Sequence, residues 1–276
     1  MTVPKPARAI TGIDTHAHIF NADQQMAEGR RYTPEYDATL IEWLGHQDRA
    51  GISHGVLVQP SFLGTDNGLI AEALSGHRDR LRGIAVVDPE ISEAELARLN
   101  DQGFVGARLN LVGKTPEDYA DAGWQRFFQR LAALDWQVEI QRAFEDFATI
   151  APPIAAAGCT VMIDHFGLPQ GGIDPANPAH AAVLEMLRAT PRAWVKLSAP
   201  YRSGQDTSAA ARSLAALREA CGGLERFCWG SDWPHTRFEA ATGYDAQLAR
   251  LEALLPDPAE RRTVLVENPA PLFRFN

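Results

Sequence analysis

The sequence predicts an α/β protein whose whole length, residues 1–276, forms a single-domain (β/α)8 barrel of the TIM-like kind. Three observations carry this expectation. Eight short apolar or β-branched runs recur along the chain, and most precede a stretch with helical spacing of apolar residues. Most of the runs read as near-continuous apolar stretches, as in parallel strands covered by helices. A length of 276 residues suits one barrel of roughly 250, and no linker divides the chain. An open doubly wound sheet would use the same units, but the glycine fingerprint usual after its first strand is absent.

The first strand is expected over Ala9–Asp14, followed by a long polar loop, Phe20–Pro34, and a helix over Thr39–Ala50. Strand two, Gly55–Gln59, precedes a helix at Asn67–Leu74, and strand three, Gly83–Val87, precedes one at Ser92–Leu99. Strand four, Gly106–Leu111, leads to Trp124–Leu134, and strand five, Gln137–Gln141, to Phe147–Ala156. Strand six, Thr160–Asp164, runs into a Pro/Gly-rich loop, Gly167–Pro178, and then a helix over Ala179–Leu187. Strand seven, Trp194–Leu197, is followed by Ala209–Ala220, and strand eight by closing helices at Tyr244–Leu255 and Pro258–Glu267. Strand eight itself is Arg226–Trp229; Asn268-Pro269 then breaks the chain before an apolar tail, Leu272-Phe273, expected to dock on the barrel.

Composition narrows the partners. With 45% apolar and 22% charged residues, the chain can bury an ordinary core. A net charge of −9 argues against nucleic acid or an anionic membrane as partner, yet a local arginine cluster can still favour a small anionic substrate. No run approaches 18 consecutive apolar residues, so no membrane-spanning helix is expected. Cys159, Cys221 and Cys228 are too scattered for a disulfide framework and form no CxxC pair, which suggests reduced, buried thiols in a cytoplasmic protein. Met1–Arg8 lacks the apolar segment of a secretory signal.

The polar residues at strand ends indicate function. Asp14, His16 and His18 are spaced by two, so they share a face if strand one continues through them. Ser61 follows strand two, Arg108 lies within strand four, Gln141 ends strand five and His165 follows strand six. Arg202 comes after strand seven, and Asp232 after strand eight in Trp229-Gly230-Ser231-Asp232-Trp233-Pro234-His235. All lie near the mouth where a barrel assembles its site. A lone histidine there is more often structural, and Asp232 alone could cap a helix. Three histidines and an aspartate converging from three strands reverse that balance. Arg108 inside an apolar strand needs a partner, either a structural carboxylate or a substrate carboxylate. His46, His54, His77 and His180 read as structural or surface residues, with His235 held in reserve.

The stretches Ile13-Asp14-Thr15-His16-Ala17-His18, Val58-Gln59-Pro60-Ser61, Gly106-Ala107-Arg108-Leu109-Asn110, Ile163-Asp164-His165-Phe166-Gly167 and Gly230-Ser231-Asp232-Trp233-Pro234 together resemble the amidohydrolase superfamily. The resemblance is to its branch of 2-pyrone-4,6-dicarboxylate lactonases and sugar lactonases. It implies a lactonase of aromatic-compound or sugar-acid catabolism. Asp232 would activate water, while His16, His18 and His165 would polarise the lactone carbonyl. It also implies that Arg108, Arg202, Ser61 and Tyr32 hold substrate carboxylates, with Lys114 as a further cation and Gln141 beside them.

Most amidohydrolases bind one or two divalent metals through the His-x-His pair, a histidine on strand five and the strand-eight aspartate. Here strand five ends in Gln141, a poor zinc ligand, although His165 could complete a set of His16, His18, His165 and Asp232. The lactonase branch works without a metal, and a metal-free site with no cofactor is the expectation. Two other readings stay open: a zinc-dependent decarboxylase or hydratase of the same superfamily, and a binding protein that has kept the barrel.

Overall fold

The structure, a computed structural model, describes residues 8–275. The expectation for Met1–Arg8 therefore falls, apart from Arg8, outside the described residues. Eight parallel strands follow one another in chain order: β1 Ile13–Ala17, β2 His54–Val58, β3 Leu81–Ala85, β4 Phe104–Asn110, β5 Gln137–Gln141, β6 Val161–Ile163, β7 Ala193–Leu197 and β8 Phe227–Trp229. Helices α1 Leu40–Ala50, α2 Gly68–Gly76, α3 Glu93–Gln102, α4 Ala122–Ala133, α5 Phe147–Ala156, α6 Pro178–Ala189 and α7 Thr207–Cys221 connect them. Beyond β8 come α8 Tyr244–Leu254, α9 Pro258–Arg262, a π-helical turn Thr263–Glu267 and α10 Pro269–Leu272. The eight-strand barrel is as expected.

Local chemistry sets the helix starts. Thr39 and Ser92, read as first helical residues, are instead N-caps, each accepting the amide of the residue three on. At Thr39 the Glu42 side chain also accepts the Thr39 amide at 3.0 Å, a reciprocal capping box that stabilises α1 by about 1 kcal/mol.

Strand one differs from its expected position. It begins at Ile13, where β2 first offers a partner in His54, and residues before it are held by Ser53 instead, which accepts from Thr11 N at 2.9 Å. The pairing then slips: Asp14 lies opposite Gly55 but Ala17 opposite Leu57, three steps against two. Such a bulge breaks the alternation of faces. Asp14 and His16 therefore do not share a face. The Asp14 carboxylate meets Trp43 on α1, accepting from its Nε1 at 2.9 Å, whereas His16 enters the barrel.

The barrel closes through the segments beyond the strands. Asp232 N donates to His16 O and His18 N to Trp233 O, both at 2.8 Å, and Thr15 Oγ1 donates to Trp229 O at 2.8 Å. Gly230 makes this seam possible: a Cβ there would lie 2.6 Å from His16 Cβ and 2.9 Å from its amide nitrogen. The far end of the barrel is plugged by the C-terminal tail. Phe273 and Phe275 pack with Ile13, Val56, Ile84, Val105, Met162 and Cys228, so the tail docks as the sequence suggests. Cys159 and Cys228 are buried free thiols, while Cys221 is only partly buried. Among the described residues no helix is long and apolar enough to cross a membrane.

Candidate active site

The seam between β1 and β8 sets His16 and His18 beside Asp232, and the turn after β6 brings His165 to the same point. The three imidazole Nε2 atoms lie 4.0, 4.0 and 3.8 Å from Asp232 Oδ1. All four side chains are essentially buried. His165 and Asp232 both adopt left-handed backbone, with φ of 56° and 60°. Non-glycine residues are held there only when their surroundings over-determine them, a condition that recurs at functional sites.

Each ring is oriented from behind. His18 Nδ1 lies 2.7 Å from Val58 O, which can only accept, so the proton is on Nδ1 and the Nε2 lone pair faces the cavity. His165 Nδ1 meets Ser198 Oγ at 2.8 Å. His16 Nδ1 meets Lys196 Nζ at 3.2 Å and Asp164 Oδ1 at 3.4 Å. Burial keeps all three rings neutral, lowering His18 to about 3, His165 to about 4 and His16 well below the ordinary histidine value.

Asp232 divides its two oxygens. Oδ2 accepts from Arg202 Nε at 2.6 Å and from the Tyr201 hydroxyl, while Oδ1 faces the imidazoles. Burial alone would raise this carboxyl, but the Arg202 guanidinium beside it holds it well below the carboxylate range. Arg202, expected to hold a substrate carboxylate, thus anchors Asp232 and also reaches Thr236 Oγ1 at 3.3 Å.

The cavity above this cluster is lined by His18, His165, Asp232 and, among the expected substrate contacts, Tyr32, Ser61, Arg108, Gln141 and Arg202. Arg108 has both kinds of neighbour weighed for it. Its Nη2 lies 3.3 Å from Asp164 Oδ2 and 3.2 Å from Gln141 Oε1, while Nε has no hydrogen-bond partner among the described residues. Lys114 is not brought to the cavity. Arg142 Nη1 ties down the Leu111 and Lys114 carbonyls at 2.5 and 2.6 Å, and the lysine stays exposed outside the lining. Arg31 and Arg237, both missed from sequence, line the cavity with Arg108 and Arg202, giving four arginines against the single carboxylate of Asp232. Their mutual repulsion is felt: burial first, then Arg108, Arg237 and Arg202, lowers the Arg31 guanidinium.

Beneath the imidazoles lies a second group the sequence reading missed. Lys196 on β7 pairs with Glu139 on β5 at 2.6 Å and approaches Asp164 Oδ1 at 3.5 Å, all three fully buried. Burial raises Glu139 to about 7 against the pull of Lys196. Both Glu139 and Lys196 are charged residues within apolar strands, the same sequence feature that marks Arg108. His235, held in reserve, is buried with Nδ1 3.2 Å from the Tyr201 hydroxyl.

The donor types fit a divalent cation. His16, His18 and Asp232 offer ligand atoms within 4.8 Å of one another, and His16 Nε2 and Asp232 Oδ1 lack hydrogen-bond partners among the described residues. Their spacing is wider than a bound set, since tetrahedral zinc with nitrogen and oxygen ligands implies edges of about 3.3 Å.

Three converging imidazoles and a carboxylate at the C-terminal mouth of a (β/α)8 barrel define an enzyme site of the hydrolase kind. The chain belongs to the amidohydrolase family, whose model, described as Amidohydrolase, matches residues 13–275. It is similar to 2-pyrone-4,6-dicarbaxylate hydrolase of Comamonas testosteroni, 29% identical over 95% of this chain and 89% of the relative. It is also similar to 4-sulfomuconolactone hydrolase of Rhizobium radiobacter, 32% identical over 94% and 89%. Among solved structures, a probable 2-pyrone-4,6-dicarboxylic acid hydrolase from Acinetobacter baumannii with citric acid bound superposes with a TM-score of 0.91. The two are 36% identical, over 96% of this chain and all of the other.

Proposed function

We propose that the protein hydrolyses a carboxylated lactone, with Asp232 activating water and the histidine cluster polarising the carbonyl, and without need of a metal. The carrying observation is the convergence of three Nε2 atoms on Asp232 Oδ1 at the floor of an arginine-lined cavity. Lactone hydrolysis is the activity its relatives support, and the citric acid held by the similar Acinetobacter protein agrees with a polycarboxylate ligand. Four arginines in a cavity of a chain with net charge −9 also favour a small dianion.

Water attacks the lactone carbonyl carbon while a proton passes to Asp232. A carboxylate held so far below its ordinary range is a weak base in the resting site. It accepts the proton only as the new C–O bond forms and the attacking water becomes acidic. An imidazole that presents Nε2–H stabilises charge on the carbonyl oxygen, a contribution of roughly 3 kcal/mol per well-placed donor, whereas His18, with its bare Nε2, can accept from the attacking water. The ring C–O bond then breaks and Asp232 returns the proton to the leaving oxygen. Arg108, at the cavity floor, is positioned to pair with one substrate carboxylate; Arg31 and Arg237 extend the cationic lining around it. If a cation is bound, His16, His18, His165 and Asp232 would hold it, and it would polarise the carbonyl as a Lewis acid.

A panel of lactones, including 2-pyrone-4,6-dicarboxylate, incubated with chelator-stripped protein tests this reading. The expected result is turnover of carboxylated lactones that added zinc does not increase. Turnover lost on stripping and restored by zinc sinks the metal-free reaction. No turnover of any lactone, with or without zinc, sinks lactone hydrolysis and returns attention to a zinc-dependent decarboxylase or a binding protein.

A further inference from the structure

His16 and His18 look interchangeable in sequence but are wired differently. Behind His18 stands a carbonyl, which forces the proton onto Nδ1. Behind His16 stands Lys196, whose Nζ lies 2.6 Å from Glu139 Oε2, 3.2 Å from His16 Nδ1 and 3.5 Å from Asp164 Oδ1. An ammonium has three N–H donors and no acceptor, and three acceptors surround this one. Phe273 closes the apolar side, its ring centroid 5.9 Å from Nζ. A proton on His16 Nδ1 would set donor against donor at 3.2 Å in a fully buried site, whereas Nε2 has no partner among the described residues and faces Asp232 Oδ1 4.0 Å away, with room for a donor.

Asp164 is the competing neighbour. Its Oδ1, 3.4 Å from His16 Nδ1, would favour the opposite tautomer if it acted alone. Asp164 Oδ1, however, makes no hydrogen bond among the described residues, Arg108 pairing with the other oxygen at 3.3 Å, whereas Lys196 Nζ and His16 Nδ1 are in hydrogen-bond geometry at 3.2 Å. The geometry points to Lys196 as a positioning residue that holds His16 in its Nε2–H tautomer, making His16 the hydrogen-bond donor of the pair and His18 the acceptor. An Nε2–H cannot ligate a cation until its proton moves to Nδ1, so Lys196 also weakens zinc binding at the site. The donor role toward a carbonyl rests on the hydrolytic reading above; the tautomer does not.

Long-range proton–nitrogen NMR of metal-free protein carrying 15N-histidine reads the tautomer directly, with His16→Gln assigning the resonance. Wild type is expected to show a protonated Nε2 and bare Nδ1 at His16, and the reverse at His18. In Lys196→Met the His16 pattern inverts as Asp164 takes the Nδ1 proton. The variant then binds zinc at least tenfold more tightly in competition with a chromophoric chelator. Its metal-free kcat falls roughly 100-fold with little change in KM, and Lys196→Arg recovers the wild-type NMR pattern. If Glu139, left uncompensated, prevents folding, Lys196→Met/Glu139→Gln reads the same two quantities. A bare Nε2 at His16 in wild type, or an unchanged pattern in the folded variant, overturns the proposal. An inverted pattern in protein that hydrolyses no lactone in any form upholds the tautomer and removes the hydrolytic reading alone.

Discussion

Asp232 and Arg108 are both buried charges paired within the protein, yet their pairing leaves each an unused face. Asp232 Oδ1 and Arg108 Nε have no hydrogen-bond partner among the described residues. A buried polar atom left unpaired costs about 1–3 kcal/mol, a cost that substrate or water would relieve. Asp232→Asn keeps the shape of the carboxylate but loses its basicity. Its kcat is expected to fall roughly 10²- to 10⁴-fold, with a little-changed KM, in steady-state assays on a carboxylated lactone. Near-wild-type turnover would remove Asp232 from proton transfer. Arg108→Met is expected to raise KM for that lactone roughly 10- to 100-fold, the equivalent of losing one charged hydrogen bond. The same variant should act on an uncharged lactone as wild type does; an equal loss on both would show that Arg108 serves Asp164 rather than the substrate.

At the scale of elements, the β1–β8 seam decides whether the histidines and Asp232 meet at all. Gly230→Ala would drive a methyl to within 2.6 Å of His16 Cβ, and the neighbouring backbone nitrogen of His16 has no freedom to retreat. Overpacking of this kind costs about 1–3 kcal/mol. The expected result is a lowered denaturation midpoint together with a loss of kcat larger than the loss of stability explains, because the displaced strand carries His16. Unchanged kcat in a folded variant would show that the seam does not set the site. Apolar periodicity made the eight strands legible, with β5 read at its observed bounds, because hydrophobic runs report burial directly. It placed β1 early because Ala9–Gly12 continues the apolar character while lacking a paired neighbour. The bulge that turns Asp14 away from His16 leaves no sequence signal, since register depends on β2. Lys196 and Glu139 were legible in principle, as charges within apolar strands. Arg31, Arg237 and Tyr201 were not, because their place at the cavity depends on how loops fold over the mouth.

The molecule as a whole carries several histidines that burial keeps neutral, and this fixes how its stability responds to acid. His18 is lowered to about 3 and His54, His165 and His235 to about 4, burial being the first cause in each. In the unfolded chain the same rings titrate near 6.5. Between pH 6.5 and about 4 the unfolded state therefore binds more protons than the folded one, and stability falls as pH falls. Each ring contributes at most about 1.4 kcal/mol per pH unit in that window. Glu139, which burial raises to about 7, opposes the trend by one proton between pH 7 and the ordinary glutamate range, against four lowered histidines. Asp232 does not oppose it. Its folded value is depressed, so its contribution is complete above the unfolded carboxylate range and is lost only at lower pH. Urea denaturation at pH 7.5, 6.0 and 5.0 is expected to give steadily falling midpoints, and His165→Gln a shallower decline by about one proton. A midpoint that stays constant from pH 7.5 to 5.0 would mean that the site histidines are already charged in the folded protein. That outcome would also remove the bare Nε2 of His18, and with it the division of the cluster into a donor and an acceptor.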